Sequence, residues 1–295
     1  MGLTGADEKA IDESITVWRQ GDVTLDAGLV FCHLADLSLP HSPASVQTAE
    51  QYAADGTGIE PGPTPLFDEV AGLVILSQTC DIVRSCQQRP FLELAPLAPV
   101  DPTMLEEIRR LKRPGFAYVP AMADHCLVAD LDRTMTIEKA LARGWTRIEG
   151  CRTDAERRDF ALALSHKRSR FAFPDDFQEA TAGFQDHLAK KASKQTDEGA
   201  HIRALSEIRV RAAPSWDADE VYLTFWFIKE ADPQGATTVD WPAWIDKWMK
   251  LIPKQGRFRL EPPTALPLEG MTARDYCDSD RLDLDRASVP RRKPV

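Results

Sequence analysis

The chain contains 295 residues, 43% of them hydrophobic and 28% charged, a composition typical of a soluble globular protein with enough chain for one large domain or two ordinary ones. Its 36 Lys and Arg against 46 Asp and Glu give a net charge of −10, which argues against a protein that wraps nucleic acid with its whole surface but leaves room for a local basic groove. An apolar run of about 18 residues is absent, residues 1–13 lack a signal-peptide pattern and only six cysteines occur, so we expect a cytoplasmic protein with reduced thiols and no membrane segment.

The N-terminal part is predicted to be rich in strands. Residues 21–25 and 28–34 are short apolar or β-branched runs, which favour strands. Residues 38–67 are rich in proline, glycine and serine, so we expect a long loop or insertion. Residues 70–77 form a continuous apolar run, typical of a strand covered on both faces, and the alternating residues 91–95 are its predicted partner.

Capping patterns predict the helices of the middle of the chain. Thr103 with Glu106 and Thr153 with Glu156 have the spacing of capping boxes, and apolar residues recur at helical spacing after each. A third amphipathic helix follows and ends in the polar segment 190–198. We take that segment as the boundary of the middle region.

The C-terminal part is predicted to mix strands and helices. Residues 207–212 and 220–229 read as a strand pair, and the second is rich in aromatic and β-branched residues. Asp240 is placed to cap a helix that carries several tryptophans on one stripe. These tryptophans are Trp241, Trp244 and Trp248. Such a stripe is either core or a surface that binds a protein partner.

The chemistry is predicted to centre on the polar turn that follows the apolar strand 70–77. A side chain at the end of a buried strand is exposed on a rigid support, and this turn offers Ser77, Cys80 and Asp81. Cys80 is the candidate nucleophile, Asp81 would orient its base, and His166 is the first choice for that base. The structural alternative is a buried Cys80 with Asp81 as a cap.

Other histidines leave the choice of base open and raise the question of a metal. His125 and His33 are alternatives to His166 as the base. Cys80, Cys86, His125 and Cys126 supply four ligand types for zinc. Their spacing differs from that of the common zinc motifs, and the adjacent His125 and Cys126 would point to opposite faces of a strand. We therefore predict no metal and no cofactor.

A basic cluster in the middle of the chain is a candidate nucleic-acid surface. Its members are Arg157, Arg158, Lys167, Arg168 and Arg170. Clustered cations bind phosphates, and neighbouring aromatics stack on bases. The alternative is an ordinary solvated helix face.

Two short segments resemble the opening of the PemK-like toxins, which are small SH3-like barrels and include ribonucleases of toxin–antitoxin systems. Residues 18–23, Trp-Arg-Gln-Gly-Asp-Val, match the first strand, and Val74-Ile-Leu-Ser77 match the returning apolar strand. The resemblance covers residues 15–120. The arginine that the ribonucleases carry before the second strand is replaced here by residues 67–70, Phe-Asp-Glu-Val, so only Ser77 is carried over as a site residue.

We expect an α+β protein with an SH3-like, PemK-like β-barrel in residues 1–120, a mainly helical segment 121–195 and an α+β segment 196–295. Three functions stay open. One is a cysteine-dependent hydrolase or transferase built on Cys80, and the second is a nucleic-acid-binding or ribonuclease module. The third is a non-enzymatic regulatory subunit that binds a protein partner. The resemblance implies a bacterial defence or toxin-type setting for any of the three.

Overall fold

The computed structural model of the protein describes residues 3–192, 194–229, 240–253 and 256–282. The chain divides into two compact units, Met1–Arg168 and Ser169–Val295. Helices account for 39% and strands for 25%, so the predicted α+β class is confirmed. Each unit has hydrophobic clusters of its own.

The first unit alternates short helices and strands. Its helices are α1 (Gly5–Ile15), α2 (Pro43–Ala54), α3 (Thr79–Ile82), α4 (Pro102–Arg109) and α5 (Asp154–Arg168). Its strands are β1 (Val23–Thr24), β2 (Val30–Asp36), β3 (Pro63–Glu69), β4 (Leu73–Ile75), β5 (Phe91–Pro99), β6 (Phe116–Ala117), β7 (Leu127–Asp130) and β8 (Met135–Glu138). The predicted loop 38–67 thus contains α2 and most of β3.

The strands of the first unit form an open sheet and a separate ribbon. The sheet has the order β1-β4-β5-β7-β6, with β8 also paired to β5, and its pairs are antiparallel. β2 pairs with β3 in the ribbon, so the two predicted N-terminal strands do not pair with each other. Within the described part of the chain no sheet closes on itself, and the predicted barrel is not confirmed.

Strand β4 is buried on both faces, as its apolar sequence predicts. Val74 and Leu76 point into one hydrophobic cluster, and Leu73 and Ile75 point into another. All four are at most 3% exposed. Because burying one such side chain stabilises a fold by roughly 1.5–3 kcal/mol, the strand is a rigid support for the residues that follow it.

Helix α5 covers one of these two faces. Phe160 and Ala163 belong to the same cluster as Val74 and Leu76, so the helix packs on that side of the sheet. Its predicted capping box forms, since Glu156 N donates to Thr153 Oγ1 and Thr153 N donates to Glu156 Oε2. The predicted middle segment 121–195 is therefore shared, with α5 in the first unit and the following helices in the second.

The second unit packs helices on a five-stranded sheet. Its helices are α6 (Asp175–Ala192), α7 (Asp197–Arg203), α8 (Trp241–Met249) and α9 (Ala273–Cys277). Its strands are β9 (Leu205–Ala213), β10 (Val221–Lys229), β11 (Phe258–Leu260), β12 (Thr264–Pro267) and β13 (Asp280–Arg281). The antiparallel pair β9–β10 confirms the predicted strand pair, and β11 and β12 lie parallel to β10. None of the described helices is both long enough and apolar enough to span a bilayer.

The tryptophan stripe packs against the core of its own unit. Trp248 is fully buried, and its Nε1 donates a hydrogen bond of 3.1 Å to Glu198 Oε1. Trp241 and Trp244 are half-buried and pack against the same cluster. Because Trp248 is buried in the core of its own unit, the stripe no longer supports the binding of a protein partner. A protein partner stays a prediction.

Candidate functional site

The chain leaves the sheet at Ser77, and backbone hydrogen bonds fix this point. Leu76 N donates to Glu93 O at 2.8 Å, and Ser77 N donates to the same oxygen at 3.3 Å. Glu93 N in turn donates to Ser77 Oγ at 2.7 Å. The Ser77 hydroxyl therefore takes the place of a backbone acceptor at the end of β4, while its own hydrogen is available to another acceptor.

A buried lysine holds the turn that follows. Lys139 is 1% exposed, and its Nζ donates to the carbonyl oxygens of Asp81, Ile82 and Arg84 at 3.0, 2.8 and 2.6 Å. Burial lowers the pKa of Lys139, and the nearby negative charges of Asp12 and Asp81 oppose that shift. The ammonium satisfies carbonyl groups that the short helix α3 leaves without helical partners, so it fixes the backbone that carries Asp81.

A cleft of about 650 Å³ opens beside Ser77. The end of β4, the segment that leads into β5, the start of β5 and the C-terminal half of α5 form its walls. The lining residues are Gln20, Leu76, Ser77, Gln78, Asp81, Gln88, Arg89, Pro90, Phe91, Glu93, Ala161, Leu164, Ser165 and Arg168. Its volume lies within the range of roughly 300–1,000 Å³ that small-molecule sites occupy.

Two ion pairs balance the charge of the cleft lining. Arg89 Nε lies 3.4 Å from Asp81 Oδ1, and Arg168 pairs with Glu93. Arg84 also approaches Asp81, at 3.9 Å. The lining thus carries two guanidinium groups and two carboxylates, and it is suited to a polar ligand with a single charged group.

The strand alternation of β5 places two cleft residues on the face that α5 covers. Glu93 is opposite Leu76 in the ladder, and Ala95 and Leu97 of the same face belong to the cluster of α5. Phe91 shares this face, because side chains two apart point the same way. Phe91 is 56% exposed, so the cleft has an aromatic surface that the core does not use.

The structure brings two of the four predicted catalytic residues together. Ser77 and Asp81 both line the cleft, whereas Cys80 and His166 are not among its lining residues. Cys80 is exposed, and its Sγ donates to Gln78 Oε1 at 3.6 Å. His166 lies half-buried in the last turn of α5. The predicted catalytic role of Cys80 stays a prediction.

The alternative bases and zinc ligands lie elsewhere. His33 is on β2, with its Nδ1 3.8 Å from Asp68 Oδ2, and His125 ends a 3-10 helix that begins at Pro120. Cys86 is buried. Among the residues that the structure describes, no three His, Cys, Asp or Glu side chains are grouped to hold a metal ion.

The basic residues of α5 are paired with carboxylates. Arg157 contacts Glu149 at 3.2 Å, and Arg158 contacts Asp154 at 2.8 Å. Two further members of the basic cluster also have acidic partners, Lys167 with Asp132 and Arg168 with Glu93. Arg170 belongs to the second unit. Because acidic partners accompany these cations, α5 does not present a uniformly positive face.

Sequence patterns did not identify four residues that line or support the cleft: Arg89, Phe91, Glu93 and Lys139. Glu93 carried a usable signal, since it interrupts the core-facing side of an otherwise apolar strand, where a charged residue needs a partner. Arg89 lies in a loop and Lys139 follows β8, and neither position has a pattern that predicts its distant contacts. Long-range contacts of this kind come only from the folded chain.

Comparisons with protein-family models, with curated proteins and with solved structures found no match. The geometry of the first unit is therefore the basis on which a function is assigned. That geometry consists of a charge-balanced cleft at a rigid strand end, with hydroxyl, amide, guanidinium and aromatic groups in its wall.

Proposed function

We propose that the first unit is a binding module and that its ligand is a small polar molecule held in the cleft beside Ser77. The observation that carries the proposal is the arrangement of the two ion pairs, Arg89 with Asp81 and Arg168 with Glu93, around the end of a buried strand. A concave site with a few fixed polar groups is the usual form of a small-molecule site.

The support for the site is rigid, which favours selective binding. Ser77 is fixed by hydrogen bonds to Glu93, and the backbone of Asp81 is fixed by Lys139. A site that is ordered before its ligand arrives loses less conformational entropy on binding. Binding therefore requires only the side chains at the cleft rim to adjust.

The PemK-like resemblance adds a biological setting to the proposal. The Gly-Asp-Val match ends in Val23 at the start of β1, which pairs antiparallel with β4, with Val23 opposite Val74. The two segments of the resemblance are thus neighbours in one sheet. From the resemblance alone we propose a cytoplasmic bacterial defence or toxin-type system as the setting of the module, where a ribonuclease activity is an alternative to simple binding.

A cysteine-dependent hydrolase or transferase is the second candidate, because Cys80 is exposed beside the cleft residue Gln78. A nucleophilic thiol needs a cation, a histidine or a helix N-terminus beside it. Cys80 lies in the first turn of α3, but this helix has only four residues, and the hydrogen-bond partner of the Cys80 thiol is an amide oxygen. We therefore expect iodoacetamide to label Cys80 no faster than Cys277, the other exposed cysteine. Much faster labelling of Cys80 would favour the hydrolase over the binding module.

A panel of small molecules tests the binding function on the full chain. The panel contains free amino acids, dicarboxylates, sugars, nucleosides and nucleoside monophosphates at millimolar concentration, with Tm as the readout. A ligand at 100 times its Kd stabilises the folded state by about 2.7 kcal/mol, so at least one class is expected to raise Tm.

Two arginine variants test whether the ligand binds in the cleft. Arg168→Ala is expected to reduce the Tm increase, while Arg109→Ala is expected to keep it. Arg109 is a matched control, since its side chain is 61% exposed against 60% for Arg168 and it also pairs with a glutamate, Glu106. The proposal fails if no class raises Tm, or if both variants respond alike.

A further inference from the structure

The two arginines of the cleft are available to an anionic group. The side chains of Arg89 and Arg168 are 55% and 60% exposed. Exposed ion pairs add little to stability, and each guanidinium has five N–H donors. Each arginine can therefore donate to a ligand while its carboxylate, Asp81 or Glu93, stays close. Planar guanidinium groups suit the oxygens of a phosphate.

Phe91 offers a surface for a flat ring. It lies on the same strand face as Glu93, whose carboxylate pairs with Arg168. An exposed aromatic ring in the same cleft as cations suits the stacking of a nucleobase, because every base has a flat π-face. The apolar wall of Pro90, Ala161 and Leu164 lies in the same cleft.

The remaining polar groups of the cleft both donate and accept hydrogen bonds. They are the amides of Gln20, Gln78 and Gln88 and the hydroxyls of Ser77 and Ser165. Gln20 Nε2 donates to Leu76 O at 2.8 Å, which directs that amide along the end of β4. Amides and hydroxyls of this kind match base edges and ribose hydroxyls.

We propose that the ligand of the cleft is a nucleoside monophosphate, an inference that rests on the proposed binding function. The base stacks on Phe91, the phosphate accepts hydrogen bonds from Arg168 and Arg89, and the amides and hydroxyls bind the base edge and the ribose. Asp81 and Glu93 leave the lining without excess positive charge, so no cation of the cleft compensates the charge of a further phosphate. A monophosphate is therefore preferred to a triphosphate or to a longer nucleic acid.

Calorimetric titration of the full chain with chosen ligands tests this assignment. The ligands are AMP, UMP, ATP, adenosine, inorganic phosphate and a single-stranded RNA pentamer. We expect AMP or UMP to bind at least about tenfold more tightly than adenosine or phosphate alone, since stacking and phosphate contacts both contribute. ATP is expected to bind more weakly than AMP.

Three results would overturn the assignment. Phosphate that binds as tightly as AMP would show a simple anion site, and adenosine that does so would show that the phosphate is not recognised. An RNA pentamer that binds more tightly than UMP would move the ligand chemistry from a free nucleotide to a nucleic acid.

Substitutions connect binding to the named contacts. Phe91→Ala and Arg168→Ala are each expected to weaken AMP binding by about tenfold or more. Phe67→Ala and Arg109→Ala are matched controls, because Phe67 is 65% exposed and Arg109 is 61% exposed outside the cleft lining. Phe91→Leu keeps an apolar side chain and removes the π-face, so its loss of binding does not depend on unfolding. Equal effects of cleft and control variants would contradict the proposal.

The binding function and the nucleotide assignment can be disproved separately. If nucleotides do not bind while another class of the panel raises Tm and depends on Arg168, the nucleotide assignment is wrong and the binding module stands. If no class binds, both are wrong.

Discussion

Lys139 shows how one residue can organise the region next to the site. Its ammonium is buried and donates to three carbonyl oxygens around the end of α3. A charge this deeply buried needs partners, and here the partners belong to the segment that supplies Asp81. The lysine therefore acts on the cleft through the backbone, without lining it.

Replacing this lysine should cost stability and loosen the cleft. Lys139→Met keeps the length and the apolar stem but removes the donor, and the three carbonyl groups lose their partner. We expect a loss of about 2–4 kcal/mol in the free energy of unfolding, measured by urea denaturation. Lys9→Met is the control, since Lys9 is 76% exposed on α1, and it should change stability by less than about 0.5 kcal/mol. Equal values for the two variants would refute this role.

Residue types alone did not show which side chains meet at the site. Ser77 and Asp81 were recognised because they follow a buried strand, and both line the cleft. Arg168 was predicted as part of a phosphate-binding face, and it contacts Glu93 of β5. These two residues are 75 positions apart in the chain, and no local pattern predicts such a pair.

At the scale of elements, the apolar burial patterns predicted the strands and helices most accurately, and the capping patterns predicted the helix starts less accurately. The continuous apolar run of β4, its pairing with β5 and the capping box of α5 are all confirmed. The start of α4 differs from the prediction, since the capping side chain is Asp101, which accepts from Met104 N at 2.9 Å. Two residues with cap chemistry, Asp101 and Thr103, lie close together, and the Pro102 between them favours the first helical turn.

Helix α8 illustrates an element whose sequence allowed two interpretations. If Trp248 is core, Trp248→Ala should lower the free energy of unfolding by about 3–5 kcal/mol, because a large buried ring leaves a cavity. Trp241→Ala, at a half-buried position of the same helix, should cost clearly less. Thermal unfolding of both variants, followed by circular dichroism, distinguishes the two interpretations of the helix. A helix that docks on a partner would instead show small and similar effects.

At the scale of the whole molecule, both units pair their charges. The first unit has two ion pairs in the lining of its cleft, and the second surrounds the buried carboxylate of Glu198 with donors. Burial alone would raise the pKa of Glu198, but hydrogen bonds from His187, Lys247, Trp248 and Lys191 outweigh it and lower the pKa to about 2. This carboxylate connects α6, α7 and α8.

The stability of the second unit should therefore depend on pH through Glu198. Because the pKa of Glu198 is lower in the folded state than its usual 4.5, its contribution is complete above about pH 4.5 and is lost as the pH falls towards 2. Glu198→Gln should be less stable at neutral pH by about 1–3 kcal/mol and should lack this loss. Urea midpoints between pH 2 and 7 measure the loss at neutral pH and the pH dependence, with the exposed Glu179→Gln as a control. Parallel pH profiles for wild type and Glu198→Gln would contradict this role of Glu198.

The division into units was less predictable than the elements. The polar segment 190–198 suggested a boundary, but it separates α6 from α7 within the second unit. Helix α5 joins the first unit because Phe160 and Ala163 fit the sheet face of Val74 and Leu76. Which sheet a helix covers depends on such complementary packing, and helical periodicity gives only the existence of an apolar face.

The most direct test of the cleft is to observe a ligand in it. We propose NMR of the full chain with labelled phenylalanine and saturating AMP, in which intermolecular NOEs report which ring lies next to the base. The binding account predicts NOEs between the protons of the adenine base and the ring of Phe91, which disappear in Phe91→Leu. NOEs to phenylalanines outside the cleft, with none to Phe91, would contradict it.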